Sequence, residues 1–203
     1  LRDHALSVSG LLVDKPGGPG VHPYQPASLF GLDAIGSYNT KFKQSTGENL
    51  YRRSLYTYLM RQVPAANMRI LGADGRTTCR TRRERTNTPL QALVLLNDPQ
   101  FVEAARALAE RALKEGGSTP RDRIAYAFRL ATSRKINAKE ANILLAELAD
   151  RSGQFKEDPE SAKAYLAGGG EHKPDPVLDP IELAAYAAVS SLILNLDEAI
   201  SKS

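Results

Sequence analysis

Thr88-Pro89-Leu90-Gln91-Ala92-Leu93-Val94-Leu95-Leu96-Asn97-Asp98-Pro99-Gln100-Phe101 is the stretch that decides the fold. Twice within it a short oxygen-bearing side chain stands directly before a proline, at Thr88-Pro89 and at Asp98-Pro99. The fixed φ of proline suits the first position of a helix, and the preceding Thr or Asp can accept from the free N–H groups of the first turn. Thr119-Pro120, Asp158-Pro159 and Asp179-Pro180 repeat the device. Thr88 with Gln91 and Asp179 with Glu182 have capping-box spacing, and Asn137 with Glu140 makes a similar start without proline. This punctuation predicts helices near 89–96, 99–114, 120–132, 138–151, 159–167 and 180–199.

Apolar spacing agrees with that reading. Phe101, Ala105, Leu108 and Ala112 form one helical stripe, and Ala141, Leu145 and Leu148 another. The helices at 89–96 and 180–199 are apolar nearly all round, which predicts that both are central and buried. Their openings, Pro89-Leu90-Gln91-Ala92-Leu93 and Pro180-Ile181-Glu182-Leu183-Ala184, hint at two related helix layers.

Upstream the signals are different. Ala5, Val8, Leu11 and Leu12 have helical spacing up to about Val13, and the prolines and glycines of Lys15-Pro16-Gly17-Gly18-Pro19-Gly20 must end that helix. Val21 to Pro26 reads as extended, because residues before proline are pushed out of the helical region. Residues 27–50 read as irregular, and a loop of that length is expected to pack against something. Tyr51, Leu55, Tyr58 and Leu59 would share a helical face, with Arg52, Arg53 and Arg61 more polar. Met68 to Arg80 predicts a short hairpin around Asp74-Gly75. The expected architecture is all-α: a single bundle-like helical domain over 1–203, with an irregular part at 1–50, a helical core at 51–203 and a short β-hairpin.

Composition narrows the function classes. With no tryptophan and 6% aromatic residues, aliphatic side chains and alanine must fill the core. The longest apolar run, Leu183 to Leu194, falls short of the roughly twenty residues a bilayer requires, so no membrane span is expected. A single cysteine, Cys79, excludes an intrachain disulfide and a Cys-x-x-Cys-His haem attachment within these residues. His4, His22 and His172 are scattered without ligand spacing, which argues against a metal site. Lys15 to Gly20 lacks the Gly-Lys-Ser/Thr ending of a phosphate loop and carries two prolines, so it reads as a structural turn. Ser7 and Ser9 near Gly10 do not form a nucleophile elbow. The opening Leu1-Arg2-Asp3-His4-Ala5-Leu6 reads as a helix without its cap and without a signal peptide, as in a piece of a longer polypeptide.

The net charge of +4 conceals an asymmetry, because residues 40–90 hold eleven Lys/Arg against three acids. Within them Arg76, Arg80, Arg82, Arg83 and Arg85 are concentrated, and with Arg52 and Arg53 they are the candidate anion- or partner-binding residues. Guanidinium groups bind sulfate, phosphate or carboxylate through paired donors. The competing readings are internal salt bridges to Glu84, Asp98, Glu103 or a neighbouring domain, which is the preferred one, an anionic polysaccharide, and, least favoured, nucleic acid. Thr86, Asn87, Thr88 and Gln91 read as a structural polar hinge, with Thr88 capping the next helix and its neighbours bonding turn backbone. The hinge reads as the start of a buried helix, where a cap matters most.

Several strings point to a family. They are Val8-Ser9-Gly10-Leu11-Leu12, the run from Gly17 to Pro26, Tyr51-Arg52-Arg53-Ser54-Leu55-Tyr56, and above all Arg83-Glu84-Arg85-Thr86-Asn87-Thr88-Pro89-Leu90-Gln91-Ala92-Leu93 running on to Phe101. Ala127 to Thr132, Leu183 to Tyr186 and Asn195 to Glu198 extend the likeness. Together they resemble the C-terminal domain of unknown function of large planctomycete surface proteins, which commonly follows a second uncharacterised domain and often a cytochrome-c-like module. The resemblance implies an exported, periplasmic or cell-surface parent, an upstream sibling domain as partner, and haem elsewhere in the parent with no cofactor in this chain. It carries over no catalytic residue. The expected function is a non-catalytic scaffold or interaction module. The alternative is part of a glycan-processing enzyme whose active site an upstream domain completes.

Overall fold

The structure, a computed structural model, describes residues 1–25, 43–59, 65–73, 81, 86 and 88–201. The protein is mainly α, as its capping pattern predicts, and among the described residues it holds two isolated parallel bridges and no strand. The chain divides into two compact units, one of residues 1–12 with 95–203 and one of residues 13–94.

The first unit holds α1 (Arg2–Ser9), α4 (Pro99–Glu115), α5 (Pro120–Thr132), α6 (Ala138–Glu157), α7 (Pro159–Ala167), α8 (Pro180–Leu194) and α9 (Asp197–Ile200). At five of their starts the expected cap is formed. Asp98 accepts from the Gln100 N–H (3.0 Å), Thr119 from Asp122 (3.2 Å), Asn137 from Glu140 (2.9 Å), Asp158 from Ser161 (3.2 Å) and Asp179 from Glu182 (2.8 Å). Glu140 returns the bond to Asn137, completing a capping box. Each such cap stabilises its helix by about 0.5–2 kcal/mol.

The core of this unit is α4 against α8, with α1 and α5 on α4, and α6 and α7 on α8. Ala104, Ala105, Ala107, Ala109 and Ala112 of α4, and Ala184, Ala185 and Ala187 of α8, are buried. Small side chains let the two backbones approach closely, while Phe101, Leu108, Leu183, Val189 and Ile193 fill the remaining volume. This is how a chain with few aromatic residues builds a dense interior. Helix α6 runs past its expected end at 151 because one mid-helix glycine, Gly153, costs only about 1 kcal/mol, and the helix carries buried Phe155 beyond it, whose ring lies 5.9 Å from that of Tyr165. Helix α8 stops earlier than expected, at Leu194, where the Asn195 side chain bonds the Ser191 carbonyl (2.7 Å).

The second unit is irregular. It contains 3₁₀ turns at Gly47–Tyr51 and Ser54–Tyr56 and the short helix α2 (Ala66–Ile70), and it ends inside α3 (Pro89–Asn97). Residues 51–59 are not the helix that the spacing of Tyr51, Leu55 and Tyr58 suggests. Their backbone is drawn into long-range pairs instead: the Val13 N–H donates to the Tyr51 carbonyl (3.0 Å), Val21 to Tyr56 (2.8 Å) and Tyr58 to Val21 (2.8 Å). Met68 to Ile70 belongs to α2, so the first arm of the expected hairpin is helical, and its turn and second arm lie outside the described residues. Helix α3 is not buried all round either. Leu95 is buried, whereas Leu90, Leu93 and Leu96 are exposed.

Candidate functional site

Arg52 shows how the second unit treats its cations. Its side chain is 3% exposed and is wrapped by the loop from Lys15 to Gly20. The guanidinium donates to the carbonyl oxygens of Lys15 (3.1 Å), Gly17 and Pro19 (3.0 Å), and it lies 4.0 Å from the centre of the Tyr56 ring. The Tyr56 hydroxyl in turn accepts from the Gly17 N–H at 2.9 Å. Alternate carbonyls of the glycine–proline loop therefore point inward at a cation, which gives this loop the opposite polarity to a phosphate cradle. Gly17 and Gly18, at φ 74° and 87°, supply the left-handed backbone that this inward turn requires. Arg52 holds the loop, with its guanidinium donors directed at backbone carbonyls.

Arg53, the next residue, is exposed, as are Lys43 and Arg69. None of these three forms an ion pair with a described residue. In the first unit Arg111, Lys114, Arg123, Arg134, Arg151 and Lys163 pair with carboxylates, while Arg121, Arg129, Lys135, Lys139, Lys156 and Lys173 are exposed without an ion pair to a described residue. Net charge is what separates the units. Residues 13–94 carry twelve Lys/Arg against five acids, a balance of +7, and the rest of the chain carries fifteen against eighteen, a balance of −3. Arg76, Arg80, Arg82, Arg83 and Arg85 lie outside the described residues, as do Cys79 and Asn87.

Thr86, Thr88 and Gln91 come together at the start of α3. The Gln91 N–H donates to the Thr88 hydroxyl (3.3 Å) and the Thr88 N–H to the Gln91 side-chain carbonyl (3.0 Å), a reciprocal capping box. The Gln91 amide also donates to Thr86 Oγ1 (2.7 Å) and to the Ile70 carbonyl at the end of α2 (2.8 Å). The arrangement is exposed, not buried, so its loss is expected to cost less than a buried helix start would imply.

The first unit contains a polar device that the sequence reading passed over. Glu103, Arg106, Glu110 and Lys114 recur on one face of α4 and bind the segment after α7 (Pro159–Ala167). Glu103 Oε1 accepts from the His172 backbone N–H (2.6 Å), and Arg106 donates to the carbonyls of Leu166, Gly169 (3.1 Å) and His172. His172 Nε2 meets Glu110 Oε2 at 3.2 Å, and Lys114 pairs with Asp175 at 2.5 Å. Glu103 and Arg106 are almost completely buried, at 0% and 2% exposure. Charges so placed persist only when hydrogen bonds compensate their burial, and here backbone groups take up Glu103 Oε1 and both terminal nitrogens of Arg106. Gly169 and Gly170 are required because a Cβ at Gly170 would run into the Glu103 carboxylate. The signal in the sequence was the i, i+3, i+7, i+11 spacing of four charges on a helix otherwise rich in alanine.

A family model matches residues 1–148, nearly three quarters of the chain. The chain belongs to PSD1, a protein of unknown function (DUF1553). The matched part of this PSD1 chain takes in the Arg52 clasp, the Thr88 capping box and the charged face of α4. No curated protein and no solved structure matches it. Among the described residues of the PSD1 chain, no group of three His, Cys, Asp or Glu side chains is placed to hold a metal ion, and no helix is long and apolar enough to cross a membrane.

Proposed function

We propose that this PSD1 chain is a non-catalytic interaction module of an exported multidomain protein, and that its basic second unit contacts an anionic polysaccharide. The observation that carries the reading is the uneven division of charge between the two units, +7 in the second and −3 in the first. In the first unit, Arg106 and the paired surface residues are committed to holding the fold together. In the second unit, Lys43, Arg53 and Arg69 are exposed without an ion pair to a described residue. Five more arginines, at 76, 80, 82, 83 and 85, lie in the same unit. A surplus of seven positive charges confined to one unit favours a polyanionic partner over internal neutralisation. In this reading the parent is a planctomycete surface protein, a sibling domain lies upstream, and any haem belongs to a cytochrome-c-like module elsewhere in the parent. Thr86, Asn87, Thr88 and Gln91 serve as the hinge that seats the basic segment on α3 (Pro89–Asn97).

The test is retention on immobilised dextran sulfate. The wild-type chain should be held at low salt and released as salt rises, since exposed charges are screened beyond about 10 Å at 0.1 M ionic strength. The triple variant Arg80→Ala, Arg82→Ala, Arg83→Ala should elute with the flow-through. Equal retention of the two proteins contradicts the reading.

A further inference from the structure

We infer that Tyr58 is a stacking platform for one sugar ring, forming a pyranose subsite within the second unit; this rests on the polysaccharide reading above and adds the residue that would recognise sugar and not charge. Tyr58 is 50% exposed, although it lies where three chain segments are laced together. Its N–H donates to the Val21 carbonyl and the Val21 N–H to the Tyr56 carbonyl, each at 2.8 Å, the two bonds of the parallel bridge between Val21 and Thr57. The neighbouring His22 N–H donates to the Ser45 hydroxyl and the Ser45 N–H donates to the His22 carbonyl, each at 2.9 Å. The Tyr58 ring is therefore exposed but held in place. It packs against Gly20, where an added Cβ would sit 3.4 Å from the ring, and against the His22 ring, 4.9 Å away at an interplanar angle of 40°.

A fixed aromatic ring open to water offers a negative π face, to which the weakly positive C–H face of a pyranose is drawn. The segment bonded to its neighbour His22 also fits a hydroxyl-rich ligand. The segment joined to His22 through Ser45 runs Lys43-Gln44-Ser45-Thr46-Gly47-Glu48-Asn49, with Gln44, Thr46 and Asn49 exposed. Amide and hydroxyl groups donate and accept together, as sugar hydroxyls require. The segment holds one lysine and one glutamate, so it is neutral. A phosphate backbone would be met by a run of cations; a neutral polar segment held to the neighbour of one exposed aromatic ring favours a saccharide over a stacked base.

The chain has no tryptophan, so Tyr58→Trp introduces a single fluorescent reporter at this position. Neutral dextran should change the emission of that variant, and should do so at high salt, where the contribution of charge is screened. Tyr58→Ala should lower the affinity for dextran sulfate about tenfold at every salt concentration and leave the salt slope unchanged, and Tyr58→Phe should stay within about twofold of wild type. Emission that responds to single-stranded oligothymidylate but not to dextran overturns the inference in favour of base stacking. Emission that responds to neither overturns it outright. If Tyr58→Ala binds dextran sulfate like wild type while the triple arginine variant does not, the inference fails and the interaction-module reading stands; if wild type does not bind dextran sulfate at all, both fail.

Discussion

Glu103 accepts a hydrogen bond of 2.6 Å from the backbone N–H of His172, sixty-nine residues further along the chain. A fully buried carboxylate on α4 is thereby matched to a segment with no regular structure, and Arg106, one turn further on, takes up two carbonyls of the same segment, Gly169 and His172, and that of Leu166 at the end of α7. The pair defines the region where the first unit is most sensitive to substitution.

Arg106→Ala should remove a guanidinium that serves three backbone carbonyls and leave buried acceptors without donors. Removing one partner of a buried charged network typically costs about 3–5 kcal/mol. Urea denaturation should show a loss in that range, with the slope of the transition unchanged if the unit still unfolds cooperatively.

Glycines at two positions should respond in opposite directions. Gly170→Ala drives a methyl group into the Glu103 carboxylate and should destabilise by about 1–3 kcal/mol. Gly153→Ala, inside α6 with open space around it, should stabilise by about 0.5–1 kcal/mol through helix propensity alone. Thermal melts of both variants test the pair, and a common sign would contradict this account of the 168–172 segment.

At the exposed start of α3, Thr88→Ala should cost about 0.5–1 kcal/mol, the lower part of the capping range. Gln91→Ala should cost at least as much, because Gln91 also holds Thr86 and the end of α2. Since the residues act as one network, the double variant should lose less than the sum of the singles in denaturant unfolding.

Acid stability should depend on Arg134. Its guanidinium bonds both oxygens of Glu140 (2.6 and 3.0 Å) and both of Glu198 (2.6 and 2.9 Å), and lies 4.7 Å from the Phe128 ring centre. Hydrogen bonds from Arg134 hold the Glu140 carboxyl down to about 2, and the same cause lowers Glu198. A carboxylate depressed in the folded state stabilises above its unfolded value of 4.5, and that contribution is lost as pH falls from there towards 2. Arg134→Met should therefore melt below wild type at pH 6, with the difference shrinking through this window and vanishing near pH 2.

How much of this could be seen in the sequence depends on the range of the interaction. Caps at Asp98, Thr119, Asn137, Asp158 and Asp179 are local, three residues across, so the helix starts were legible. Residues 51–59 were not, because their backbone partners at Val13 and Val21 are more than thirty residues away and override a helical spacing of Tyr51, Leu55 and Tyr58. An apolar composition likewise could not tell α8, which is buried, from α3, whose Leu90 and Leu93 are exposed. Arg52 looked like a free cation because nothing in its own segment reveals three carbonyls waiting between residues 15 and 19. The strap on α4 was written in the spacing of Glu103, Arg106, Glu110 and Lys114, but its partners lie near residue 170, and spacing alone does not name a partner.

The central claim, that the second unit engages a polyanion through its unneutralised cations, is tested most directly by measuring dextran sulfate affinity against salt concentration. The account predicts a steep linear fall of log affinity with log salt for the wild-type chain, and a slope reduced by roughly three contacts in the Arg80→Ala, Arg82→Ala, Arg83→Ala variant. A wild-type affinity independent of salt, or an unchanged slope in the variant, would contradict it.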